Sequence, residues 1–108
     1  MSYDVGLYMH TGKQEVEVVD CGNYTYNVSP MLQLAFDEDT GINVLEGSLA
    51  QDCIGGLNKA IKHMQDFPTA HMALSPSNGW GSYEGCMRWL RNILSYCEQH
   101  PLATLRIT

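Results

Sequence analysis

Tyr3-Asp4-Val5-Gly6-Leu7-Tyr8-Met9 is the stretch that sets the class of fold. Tyr3, Val5, Leu7 and Met9 fall on one face of an extended chain, and Asp4, Gly6 and Tyr8 fall on the other. That is the period-two pattern of a half-buried strand. Thr11-Gly12-Lys13-Gln14 supplies a turn, and Glu15-Val16-Glu17-Val18-Val19 resumes β character with an acidic outer face. A hairpin over residues 3–20 is therefore predicted. Leu102-Ala103-Thr104-Leu105-Arg106-Ile107 reads as a strand that joins it.

The segments between these strands carry helical periodicity. Ser29-Pro30 reads as an N-cap followed by proline at the first helical position, where its missing N–H does no harm. A short helix runs on through Met31, Leu32, Leu34, Ala35 and Phe36, and should stop near Asp37-Glu38-Asp39-Thr40-Gly41. Ser48, with Gln51 three residues on, forms a capping-box pattern. Leu49, Cys53, Leu57, Ala60, Ile61 and Met64 then share one face of an amphipathic helix. Gly55-Gly56 weakens that helix by about 1 kcal/mol per glycine relative to alanine, which close backbone packing would explain. Asp66-Phe67-Pro68 ends it.

Thr69 to Leu74 forms at most another helical turn, and Ser75-Pro76-Ser77-Asn78-Gly79-Trp80-Gly81 is a loop. Ser82 caps a last helix whose apolar face is Tyr83, Met87, Leu90, Ile93, Leu94 and Cys97, with His100-Pro101 as its stop. The order is β-β-α-α-α-β. It predicts an α+β fold, a small antiparallel or mixed sheet (N-terminal hairpin plus C-terminal strand) covered by about three helices, as a single domain over residues 1–108.

At 108 residues, 44% apolar and 17% charged, the chain has room for one core and needs no metal or disulfide staple. Twelve acidic residues against six basic ones give a net charge of −6. Nucleic-acid and anionic-membrane surfaces both call for basic patches, so neither is an expected partner. No apolar run approaches the roughly 20 residues of a membrane span, and Met-Ser-Tyr-Asp-Val-Gly has no leader character. Cytoplasmic location is expected, with Cys21, Cys53, Cys86 and Cys97 as free, mostly buried thiols. His10, His63, His71 and His100 show no ligand spacing with cysteine, so neither a metal nor another cofactor is expected. An open sheet edge would support a two-fold homodimer.

Two irregular segments concentrate the polar chemistry. Asn23-Tyr24-Thr25-Tyr26-Asn27 alternates amide and hydroxyl groups with aromatic rings just ahead of a helix start. Asn78-Gly79-Trp80-Gly81-Ser82-Tyr83-Glu84 folds a large ring between two glycines ahead of another. Each has a plain structural role too, since asparagine and threonine cap turns, tryptophan fills cores and Glu84 stabilises a helix start. Together with Val28-Ser29-Pro30-Met31 and Cys97-Glu98-Gln99-His100-Pro101, these motifs resemble a family of small uncharacterised proteins of phages and bacteria. The resemblance implies a phage or bacterial cytoplasmic setting, in the host cytoplasm if phage-encoded, and ties both segments into one unit without implying an activity. Asn23, Thr25, Asn27, Asn78, Trp80, Tyr83 and Glu84 are the candidate ligand-binding residues. Three readings follow: a module binding a small polar or nucleotide-like ligand, an acidic module inhibiting a host protein, and a small enzyme with Glu84 or His71 as base. No catalytic set is legible.

Overall fold

The alternating N-terminal run becomes β1, Ser2–Thr11, which turns through Gly12 (φ +68°) into β2, Gln14–Thr25. The computed structural model describes all 108 residues, Met1–Thr108. β1 pairs antiparallel with β2 on one side and with β3, Thr104–Ile107, on the other, so the sheet order is β2-β1-β3. Four α-helices lie between β2 and β3: α1 Ser29–Phe36, α2 Ala50–Asp66, α3 Pro68–Met72 and α4 Tyr83–Gln99. The predicted α+β class and strand-strand-helices-strand order hold. α3 is a short fourth helix, and 3-10 turns at Tyr26–Val28 and Gly41–Leu45 went unforeseen.

The core is one cluster of 24 buried residues, in which Leu7 and Leu105 of the sheet meet Met31, Leu32, Leu57, Met64, Leu90 and Ile93 of the helices. α1 stops where the acidic run predicts, because Asp37 takes the left-handed conformation (φ 53°) and its N–H bonds the Gln33 and Leu34 carbonyls. Asp tolerates that conformation better than most residues.

Four local readings are corrected. Ser29 is the first residue of α1 rather than its cap, which is Val28. Its Oγ donates to the Tyr26 carbonyl (2.6 Å) and lies 2.6 Å from the Tyr3 hydroxyl, so it ties the preceding turn to β1. The Ser48–Gln51 capping box does not form. α2 starts at Ala50, and its first N–H groups bond backbone carbonyls instead: Ala50 N to Ala103 O (2.7 Å) and Gln51 N to Pro101 O (2.9 Å). Leu49 leaves the apolar face for an isolated bridge to Thr104 and stays 37% exposed. Neighbouring chain has done here what a capping side chain does elsewhere. Of the glycine pair only Gly56 fits tightly, its absent Cβ 3.3 Å from Leu45 Cδ2, whereas Gly55 faces open space.

All four cysteines are free and buried. Burial pushes each thiol up to about 12. At pH 8 only about one thiol in ten thousand would be ionised at such a value, and the thiolate is the nucleophile. Iodoacetamide at pH 8 should therefore leave the native protein unmodified and alkylate all four thiols once denaturant is added, a difference that intact mass spectrometry reads directly.

Candidate functional site

The end of β2 and the start of α4 are joined at one side chain. Tyr24 pairs with Tyr3 across the hairpin, and its ring stacks on Trp89 of α4 (centroids 5.7 Å apart, 25° between planes). Tyr3 packs edge-on to Tyr26 (4.4 Å) and lies 5.8 Å from Trp89, so four aromatic rings form one layer. The Tyr24 hydroxyl accepts the Ser82 N–H at 2.9 Å, just ahead of α4. Two glycines make this approach possible. A Cβ on Gly85 would strike the Tyr24 hydroxyl, and one on Gly81 (φ +102°) would sit 2.8 Å from Thr25 Cγ2 and 2.9 Å from Val28 Cγ1.

Several of the motif side chains are occupied in holding this junction. Thr25 Oγ1 accepts the Asn27 N–H (3.2 Å), Asn78 Oδ1 accepts the Trp80 N–H (2.9 Å), and Ser82 Oγ accepts the Gly85 N–H (3.0 Å) as the predicted cap of α4. The carboxamides of Asn23 and Asn27 make no hydrogen bond within the chain.

Between the two motifs lies an open groove of about 870 Å³. Asn23, Tyr24, Thr25, Tyr26 and Asn27 line one wall and Asn78, Trp80 and Gly81 the other, with Met1 and Ser2 alongside. No aspartate, glutamate, lysine or arginine lines it, although the chain carries 18 such residues. Trp80 is 69% exposed, so its ring face is available rather than spent on the core.

Five of the seven candidate residues thus border one concavity. The other two do not. Tyr83 and Glu84 line a separate groove of about 380 Å³ with Gln65, Met87, Arg88 and Arg91, and the Tyr83 hydroxyl donates to the Met64 carbonyl (2.8 Å), tying α4 to α2. Their places on α4 turn them away from the end of β2. His71 is fully buried, with Nδ1 2.8 Å from the Phe67 carbonyl and Nε2 3.3 Å from His63 Nδ1. Both ring nitrogens are engaged, which leaves it no access to a substrate as a base. The two histidines meet because α3 folds back on α2 after the Pro68 break, a contact their sequence spacing did not suggest. No group of three histidine, cysteine or acidic side chains is placed to hold a metal ion.

Trp89 was missed on the sequence. It is buried, carries the aromatic layer, and its indole Nε1 has no hydrogen-bond partner. Its position three residues after Cys86 and four before Ile93 was the available signal. Comparison with protein-family models, curated proteins and solved structures finds no match, so the chemistry of the groove rests on its geometry.

This division of labour has measurable consequences. Tyr24→Phe strands the Ser82 N–H and should cost about 1–3 kcal/mol. Gly81→Ala meets both a positive φ and a blocked Cβ, and should cost about 2 kcal/mol or more. Asn27→Ala removes a side chain without internal partners and should stay within about 0.5 kcal/mol of the parent. Urea denaturation of the three variants checks the ranking.

Proposed function

We propose that this chain is a small binding protein, of the phage or bacterial accessory kind that its motifs resemble, whose groove takes a planar polar ligand such as a nucleobase or nucleoside. The observation that carries the reading is the pairing of an exposed Trp80 with two unengaged carboxamides, Asn23 and Asn27, around one opening. A carboxamide offers a donor and an acceptor side by side, which matches the edge of a base. An indole face supplies stacking worth about 1–3 kcal/mol per base. The lining suits the ring and sugar of a nucleotide-like ligand, since it holds no lysine or arginine side chain to neutralise a phosphate.

The enzymatic reading finds less support. Glu84 faces a different groove and His71 is sealed in the core, so neither places a base beside the Trp80 ring. Binding without turnover is the simpler use of the groove.

Calorimetric titration with adenosine, guanosine, cytidine and uridine tests the proposal. At least one should bind saturably, and Trp80→Leu, Asn23→Ala and Asn27→Ala should each weaken it by roughly tenfold, the worth of one stacked ring or one good hydrogen bond. The melting temperature should not move with them. Failure of all four nucleosides to bind, or binding indifferent to the three substitutions, would sink the reading.

A further inference from the structure

From Pro68 to Gly81 the chain is tied to the rest of the fold by a single polar side chain. No residue in that stretch makes a hydrogen bond to a residue outside Phe67–Gly81 except His71, whose Nε2 lies 3.3 Å from His63 Nδ1 on α2. His71 is also the one buried residue of α3, where Pro68, Thr69, Ala70 and Met72 are all exposed. Leu74, half-buried against the core, adds an apolar contact just beyond it. The same stretch carries Asn78 and Trp80, so one wall of the open groove is anchored upstream by the histidine pair.

The far end of the pair fixes how many protons it can hold. A carbonyl only accepts, so His71 Nδ1 carries the hydrogen that reaches the Phe67 oxygen at 2.8 Å. Across the gap to His63 one ring nitrogen must donate and the other accept. The pair can therefore be neutral or carry one added proton. With two, an N–H faces an N–H and the bond is lost. The first added proton has a place on His63, which is half-buried in the last turn of α2, where a cation is favoured. His63 shares a cleft with Lys59, Lys62 and Asp66 of α2 and with Asp37 at the end of α1, and its ring packs against Phe67 (centroids 4.8 Å apart). Asp66 is paired with Lys62 (2.9 Å), neither histidine is in an ion pair, and α3 brings no other charged group. The second proton falls on His71, fully buried and without a counter-ion, and an unpaired charge so placed is driven out to water.

We propose that His63 and His71 form an acid-operated latch, in which the second proton on the pair releases α3 and frees the loop that follows it to Gly81. The latch rests on these two side chains and not on the nucleoside reading of the groove. Backbone ¹⁵N relaxation tests it, stepped from about pH 7.5 to about pH 4.5, across and below the range in which histidine changes charge. Order parameters of Thr69 to Ser75 should fall from about 0.85 to below about 0.6, while those of α2, α4 and the sheet hold. His63→Gln offers His71 a carboxamide that can accept as well as donate, and should abolish the response. His71→Leu removes the buried charge altogether. Thr69 to Ser75 should then behave alike at every pH, whether or not α3 stays docked. The proposal is overturned if Thr69 to Ser75 remain ordered down to about pH 4.5, or if their loosening survives in either variant. It is also overturned if α2 and α4 loosen in step with α3, which is general acid unfolding.

Discussion

The hydrogen bond from the Ser82 N–H to the Tyr24 hydroxyl is the contact on which the geometry of the groove depends. It joins residues 58 apart in sequence, fixes the end of β2 against the start of α4, and does so with the ring already stacked on Trp89. The helix start has free N–H groups to satisfy, and Ser82 Oγ and Tyr24 OH take two neighbouring donors there. The glycines at 81 and 85 follow from this contact. Any side chain at either position would push the loop off the strand and open the wall that carries Asn78 and Trp80.

A second arrangement of backbone groups shapes the opposite end. Residues 46–50 run beside β3: the Gly47 N–H bonds the Leu105 carbonyl, the Leu105 N–H bonds the Ser48 carbonyl, and Glu46 accepts the Ile107 N–H. Arg106 spans Glu15 and Glu46 on the outer face and links this segment to β2. One sheet edge is thereby covered, while the edge at β2 carries Glu15, Glu17 and Asp20 and two register shifts. Acidic side chains and bulges are the usual means of discouraging strand-to-strand pairing.

Much of this was legible in the residues. Strict alternation gave β1, and spacings of three and four gave α2 and α4, because burial on one face imposes the period of the element. Ser82 was readable as a cap because its partner lies three residues away. Ser48 was misread for the complementary reason: the donors of α2 are met by Pro101 and Ala103, about fifty residues distant, and no local pattern encodes that. Tyr83 and Glu84 were grouped with Trp80 through chain adjacency, yet the first turn of a helix rotates by about 100° per residue and carries neighbours to different faces. The meeting of His63 with His71 was hidden likewise, since a proline break that ends a helix also lets the chain turn back upon it.

The asparagines show most clearly what tertiary structure adds. On the sequence Asn23, Asn27 and Asn78 are equivalent, three amides in two polar runs. In the fold Asn78 spends its oxygen on the Trp80 N–H, which holds the indole outward over the groove, so its role is to position the ring. Thr25 spends its hydroxyl in the same way on the turn at Asn27. Asn23 and Asn27 have no such duty, and a carboxamide without an internal partner is stable only where water or a ligand meets it. The groove therefore separates into a frame of satisfied turns and two exposed carboxamides that no group of the chain engages. Rigid placement of a few unengaged polar groups beside an exposed ring lowers the ordering cost of binding, which is the physical requirement for recognising a small polar molecule on so small a domain.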